Sequence, residues 1–156
     1  MWYTLTMGNI RFTKEGFEKL KKDLDLLILS RKDAVEDLQK ARAMGDLSEN
    51  GYYKAAKFKL SSIDRDIRIM TSDLKQATII ESAHASTVGI GSKVVVSDGK
   101  KEQIYNIVGD LEADPKNQKI SLLSPLGKAL LGKKKGDNVV FQTPSGEITY
   151  LIVSIF

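Results

Sequence analysis

From Thr13 to about Ala77 the chain has no proline, and its apolar residues return at helical intervals. Phe17, Leu20, Leu24, Leu27, Ala34, Leu38 and Ala41 follow alternating steps of three and four, with Arg31 filling the one seam position that is not apolar. That is a heptad seam. After a break at Gly45 the pattern restarts on Tyr53, Ala56, Leu60, Ile63, Ile67, Met70, Leu74 and Ala77. Two helices of similar length joined by a few residues fold back on each other, so the pattern predicts an antiparallel coiled-coil hairpin. Each arm of about 28 residues would be about 42 Å long. Such a rod buries one stripe per helix and encloses no pocket, so it acts through its reach and through what its end carries.

Beyond Glu81 the period changes. The small, polar stretch from Ser82 to Gly91 reads as a linker or the entry into a second domain. Five segments rich in Val, Ile, Tyr and Phe follow, at 94–96, 103–108, 119–123, 138–142 and 148–156. Turn signals separate them at Asp98-Gly99, Asp114-Pro115, Gly136-Asp137 and Pro144-Ser145-Gly146. Between the third and fourth strands, Ser124 as N-cap, Pro125 at the first helical position and Gly132 past the end frame one short helix. The expected class is α+β: a helical hairpin over 1–81, a linker over 82–91, and a small, mostly antiparallel sheet with one short helix over 92–156.

Composition narrows the chemistry. With 42% hydrophobic and 28% charged residues the 156-residue chain has globular proportions, and no apolar run approaches the roughly 18 residues of a membrane span. Its start has neither the basic opening nor the long apolar centre of a signal peptide, so a cytoplasmic protein is expected. The absence of cysteine removes disulfides and thiol chemistry, and the single histidine, His84, leaves a catalytic triad or multi-histidine metal site little to work with. Carboxylates, lysines and backbone remain. The net charge of +4 divides evenly between the halves, but all five arginines lie before residue 85, where contacts to an anionic partner are expected first.

The junction of the two arms reads Gly45-Asp46-Leu47-Ser48-Glu49-Asn50. Asp46 and Glu49 are three apart at the start of the second helix, so their side chains can share one side of the tip. A capping-box variant in a favourable helix dipole accounts for such a pair without any function. Placed at a rod's end, the same two carboxylates are hard oxygen donors for Mg²⁺, too few to hold the ion without a second molecule. Lys40, Arg42, Lys54, Lys57 and Lys59 flank them, either as a solvated helix face or as a phosphate-steering patch. Tyr52 and Tyr53 can stack on a base, although Tyr53 also belongs to the seam.

These residues carry a resemblance. GDLSEN at 45–50, with Tyr53 and Ala55-Ala56 after it, and SPLGKALLGKKKGD at 124–137, followed by TPSGEITY at 143–150, resemble the two signatures of bacterial transcript cleavage factors of the GreA type. The likeness covers about Asn9 to Phe156; Met1 to Thr6 lie outside it, and Met7 stands where such proteins usually begin.

The resemblance implies a factor that binds RNA polymerase and is not an enzyme by itself. Its C-terminal domain, FKBP-like in fold, would dock at the rim of the polymerase's secondary channel, with Ser124 and Pro125 in the contact region. The hairpin would reach through the channel to the 3′ end of backtracked RNA, with Arg42, Asn50, Tyr53 and Lys57 as RNA and polymerase contacts. Asp46 and Glu49 would help hold the second Mg²⁺ of the polymerase centre, which two-metal hydrolysis requires. No stably bound cofactor and no membrane contact are expected. Three departures bear on contact strength: Gly51 and Tyr52 replace a small helix former and an acid, Lys57 stands where arginine is common, and Leu123 replaces an acid before the Ser-Pro pair. Rival readings are a channel-binding inhibitor of the same family, a prolyl isomerase using Tyr105, Phe141 and Tyr150, and a coiled-coil adaptor whose tip is only a cap.

Overall fold

The computed structural model describes residues 10–44, 51–80, 86–144 and 146–156. The chain divides into two compact units, Glu18–Gln76 on one side and Met1–Phe17 with Ala77–Phe156 on the other.

Helices α1 (Lys14–Ala43) and α2 (Gly51–Lys75) form the hairpin. Thr13 caps α1: its hydroxyl oxygen accepts the Gly16 N–H at 3.0 Å. Glu15 in the first turn and Lys40 and Arg42 in the last match the helix dipole. The seam positions are the sheltered ones. Ala34 and Ala41 are fully buried and Ala56 nearly so, while Leu20, Leu24, Leu27, Leu38, Leu60, Ile63, Ile67, Met70 and Leu74 are half-buried.

Two ion pairs bridge the helices and set their register. Arg31 Nε lies 2.6 Å from an Asp64 oxygen, and Lys59 Nζ lies 3.0 Å from one of Asp37. Between these pairs the chain number rises along α1 and falls along α2, so the helices run antiparallel. Continued along the arms, that register sets Ala34 against Leu60, Leu38 against Ala56 and Ala41 against Tyr53.

The second helix ends one step before its heptad pattern does. Ala77, expected as the last seam residue, begins strand β2 (Ala77–Ile79), which pairs in parallel with β1 (Ile10–Phe12). The run Ala77-Thr78-Ile79-Ile80 is mostly β-branched and favours extended backbone once a partner strand is at hand.

The remaining strands are β3 (Lys93–Ser97), β4 (Glu102–Val108), β5 (Lys119–Ser121), β6 (Asn138–Thr143) and β7 (Gly146–Ile155), in the sheet order β5-β4-β3-β7-β6. All pairs are antiparallel except β4 with β5, which the crossing at 109–118 makes parallel. Val94 and Val96, Ile107, Val139, and Tyr150 and Ile152 point from one face into the core, against Leu126 and Leu130 of α3 (Pro125–Leu130). The linker expected at 82–91 is corrected in its second half. Val88 and Ile90 are 2% and 3% exposed members of this core, and Val88 exchanges backbone hydrogen bonds with Gly132 and Lys133. Residues 82–85 lie outside the described residues.

Two carboxylates in the 109–118 crossing tie the first strand down. The Asp110 carboxylate accepts from the Arg11 backbone N–H at 3.0 Å and from its guanidinium at 2.8 and 3.2 Å, while the Asp110 N–H returns to the Arg11 carbonyl at 2.9 Å. Glu112 accepts from the N–H groups of Thr13 and Gly109, each at 2.8 Å, and from the Thr13 hydroxyl. Gly109 is required here, because a Cβ would sit 2.1 Å from the Arg11 carbonyl oxygen. Replacing Glu112 with Ala strands two part-buried N–H donors and removes charge-assisted bonds, so denaturant unfolding should show a loss of about 2–3 kcal/mol. A loss below about 0.5 kcal/mol, the range of an ordinary surface substitution, contradicts this role for Glu112.

Candidate functional site

Asp46, Glu49 and Asn50 lie outside the described residues, so the hairpin end is read from the residues on either side of it. Met44, one residue past the end of α1, is the last described residue before the gap, and Gly51 opens α2 after it. Arg42 and Lys57 are exposed, and each follows a seam alanine by one position, Ala41 and Ala56. They therefore occupy matching columns on one flank, opposite the flank bridged by Lys59 and Asp37. Lys54 lies three positions before Lys57 on the same side. Among the described residues none of these three forms an ion pair, whereas Lys59 is committed to Asp37. Four of the five cations that flank the tip in sequence are thus sorted. Arg42, Lys54 and Lys57 form a basic flank, and Lys59 is structural.

Tyr53 is half-buried in the seam opposite Ala41. Tyr52 is 46% exposed, and Phe58, 78% exposed, stands off the seam altogether. Phe58 was not singled out from the sequence; the signal was an aromatic at a position the heptad leaves in solvent. Among the described residues no group of three or more His, Cys, Asp or Glu could hold a metal ion.

The second predicted contact region, Ser124-Pro125, belongs to the sheet unit. Ser124 caps α3 as expected: its hydroxyl accepts the Gly127 N–H at 3.0 Å and donates to the Ser121 carbonyl at 2.7 Å. Buried Ser121 accepts in turn from the Leu123 N–H at 3.0 Å. Gly127 lets α3 approach this turn, since a Cβ there would lie 2.1 Å from the Ser121 carbonyl oxygen. Leu122 and Leu126 point into the core, while Leu123 is 56% exposed on the hydrogen-bonded turn and Pro125 is exposed beside it. A fixed turn presenting an apolar side chain to solvent is suited to recognition by a partner protein.

Tyr105, Phe141 and Tyr150 are packed as core. Tyr150 lies 5.5 Å from Phe141 and 6.5 Å from Tyr105 between ring centroids, and both tyrosine hydroxyls turn onto Gln103 Oε1. Burial first, and then the Tyr150 hydroxyl, push Tyr105 up to about 12.

Comparison with known proteins decides the family. Residues 10–79 match the family "Transcription elongation factor, N-terminal", and residues 83–156 match "Transcription elongation factor, GreA/GreB, C-term". The chain belongs to the GreA/GreB family of transcription elongation factors. Such factors act on RNA polymerase during elongation and are not enzymes themselves. Transcription elongation factor GreA of Thermodesulfovibrio yellowstonii is 42% identical over 151 residues, covering 94% of this chain and 96% of that one. Transcription elongation factor GreA of Geobacillus kaustophilus is 42% identical over 149 residues, covering 92% and 94%. The crystal structure of GreA factor homolog 1 (Gfh1) of Thermus thermophilus aligns with a TM-score of 0.45 at 30% identity, over 95% of this chain and 99% of that one. No described helix is long and apolar enough to cross a membrane.

Two measurements test this local chemistry. Gly127→Ala should lower stability by about 1–3 kcal/mol, because the added methyl meets backbone; thermal unfolding reads it, and an unchanged midpoint contradicts the close approach. For Tyr105, the folded-state value lies above the unfolded one near 10. Its contribution is therefore complete below about pH 10 and lost as pH rises from there towards 12. Tyr105→Phe should flatten stability against pH in that window and leave it unchanged below; an identical slope contradicts the assignment.

Proposed function

We propose that this factor inserts the end of its hairpin through the secondary channel of RNA polymerase and stimulates the polymerase's Mg²⁺-dependent cleavage of backtracked nascent RNA. The observation that carries the reading is the sequence GDLSEN between α1 and α2 of a chain that a GreA relative matches over 94% of its length. Asp46 and Glu49 are the acids of that segment. Two carboxylates are too few to hold Mg²⁺ alone, so they act on the weakly held ion of the polymerase centre. Asp46 and Glu49 would help hold that ion, which would supply charge stabilisation to the oxygens of the hydrolysis. This chain's own part is to bring the carboxylates, to orient the attacking water by hydrogen bonding, and to keep the RNA end in reach.

The basic flank supports that last task. Arg42, Lys54 and Lys57, without an ion pair among the described residues, can meet phosphates near the end of the hairpin. Asn50 and Tyr53 complete the contact set at the turn. In the other unit, Leu123, Ser124 and Pro125 form the docking turn at the channel rim. Leu123 in place of an acid makes that contact apolar, so its affinity should depend little on salt.

The test is direct. The protein and Mg²⁺, added to halted, backtracked elongation complexes, should release a 3′ fragment and leave shortened, extendable RNA. Asp46→Ala with Glu49→Ala should reduce the cleavage rate by at least about a hundredfold, the scale of losing positioned catalytic groups, and leave polymerase binding intact. Equal cleavage by the double variant, or none by the unaltered chain, contradicts the proposal.

A further inference from the structure

Helix α1 carries a second periodic stripe that the hairpin seam does not use. Lys19, Lys22, Leu26, Leu29, Asp33 and Glu36 follow alternating steps of three and four, and all six are exposed, Leu26 by 63% and Leu29 by 56%. The seam residues of α1, from Leu20 and Leu24 to Ala34 and Leu38, take the heptad positions on the opposite side of the helix. The stripe is therefore turned away from α2. Among the described residues none of its four charged side chains forms an ion pair.

Read from its middle outwards, the stripe has the same spacing in both directions, with the charges exchanged. Leu26 and Leu29 stand on either side of a midpoint, Lys22 and Asp33 lie equally far beyond them, and Lys19 and Glu36 lie equally far beyond those. A second copy related by a two-fold axis at that midpoint runs antiparallel. It sets Leu26 on the second copy's Leu29, Lys22 on its Asp33 and Lys19 on its Glu36, and each contact occurs twice. The residues beside the stripe agree: Asp25 falls next to the second copy's Lys32, Asp23 next to its Ser30 and Glu18 next to its Gln39, so no like charges are opposed. A parallel copy would set every charge of the stripe against itself.

This order selects the occupant. Two lysines and two acids cancel, so neither nucleic acid nor a protein surface of one sign gains from the whole stripe. A face bearing the reversed order satisfies every position, and this chain itself supplies one. We propose that α1 pairs with α1 of a second copy across this stripe, forming an antiparallel dimer. Its apolar centre is only four leucines, less than a stable interface buries, so the dimer is reversible and forms at high concentration. Two paired hairpins are four helices thick where one is two. On the function proposed above, the dimer and the inserted hairpin therefore exclude each other, and self-association holds surplus factor out of the channel.

Sedimentation equilibrium of the full chain up to about 1 mM tests the dimer, which should be populated at the upper end. Leu26→Ser with Leu29→Ser, at positions already exposed, should weaken association at least about tenfold and leave the circular dichroism unchanged. Ile28→Ser, 42% exposed in the wild type but off the stripe, should associate within about twofold of the unaltered chain. Lys19→Glu with Lys22→Glu in one chain, and Asp33→Lys with Glu36→Lys in another, should each stay monomeric alone and dimerise when mixed, because the mixture restores opposite charges at all four contacts. An unaltered chain that stays monomeric throughout, or charge variants that associate no better mixed than alone, overturns the dimer and leaves the proposed function standing. Core RNA polymerase added to labelled dimer should take up single copies. Polymerase that carries dimers overturns the exclusion, while a chain that dimerises through the stripe but binds no polymerase overturns the proposed function alone.

Discussion

The register of the hairpin seam is the constraint on which the reading of this molecule depends. Arg31 with Asp64 and Lys59 with Asp37 hold α1 and α2 in one antiparallel alignment, and the alanines of the seam are buried. Exposed ion pairs of this kind contribute little energy singly. Their weight is in specificity, because a slip along the seam would break both pairs together. That alignment decides which side chains share a flank. It puts Arg42 and Lys57 on one flank and takes Lys59 out of the basic set. The charge pattern of the hairpin is thus a consequence of its packing.

In the sheet unit the corresponding device is a pair of carboxylates. Strand β1 is only three residues long and pairs with a strand equally short, too little to persist alone. Asp110 and Glu112 supply the difference by accepting from the backbone of Arg11 and Thr13, and Gly109 leaves room for that backbone to approach. A similar economy holds the recognition turn. Ser121, Ser124 and Gly127 satisfy its backbone groups, which leaves Leu123 free to face solvent.

Long-period features were legible from the residues. The heptads predicted both helices and their sheltered faces, and Ser124, Pro125 and Gly132 bracketed α3 because capping chemistry is local. Short or tertiary features were not. Nothing in Ile10–Phe12 announces a strand, since its partner is supplied by residues far along the chain. Asp110 and Glu112 look like ordinary loop acids until their acceptors are seen. The stretch 82–91 was read as a linker on its small, polar composition, which hid Val88 and Ile90 alternating into the core. Lys59 could not be separated from its basic neighbours without the register. Asp46, Glu49 and Asn50 rest on the motif they belong to, and their geometry lies outside the described residues.

On the proposed function this factor works by delivery, and one histidine and no cysteine fit a chain that would lend carboxylates to another enzyme's metal ions. The central claim is therefore about where the turn goes, and the lack of cysteine makes it measurable. A single Leu47→Cys substitution, carrying a short photo-crosslinker, can be placed in backtracked elongation complexes beside Ser61→Cys halfway along α2. The account predicts that the Leu47 position labels the 3′-terminal nucleotides of the RNA and the polymerase around its Mg²⁺ centre, and that the Ser61 position labels neither. Labelling of RNA from both positions alike, or from Ser61 alone, would contradict it.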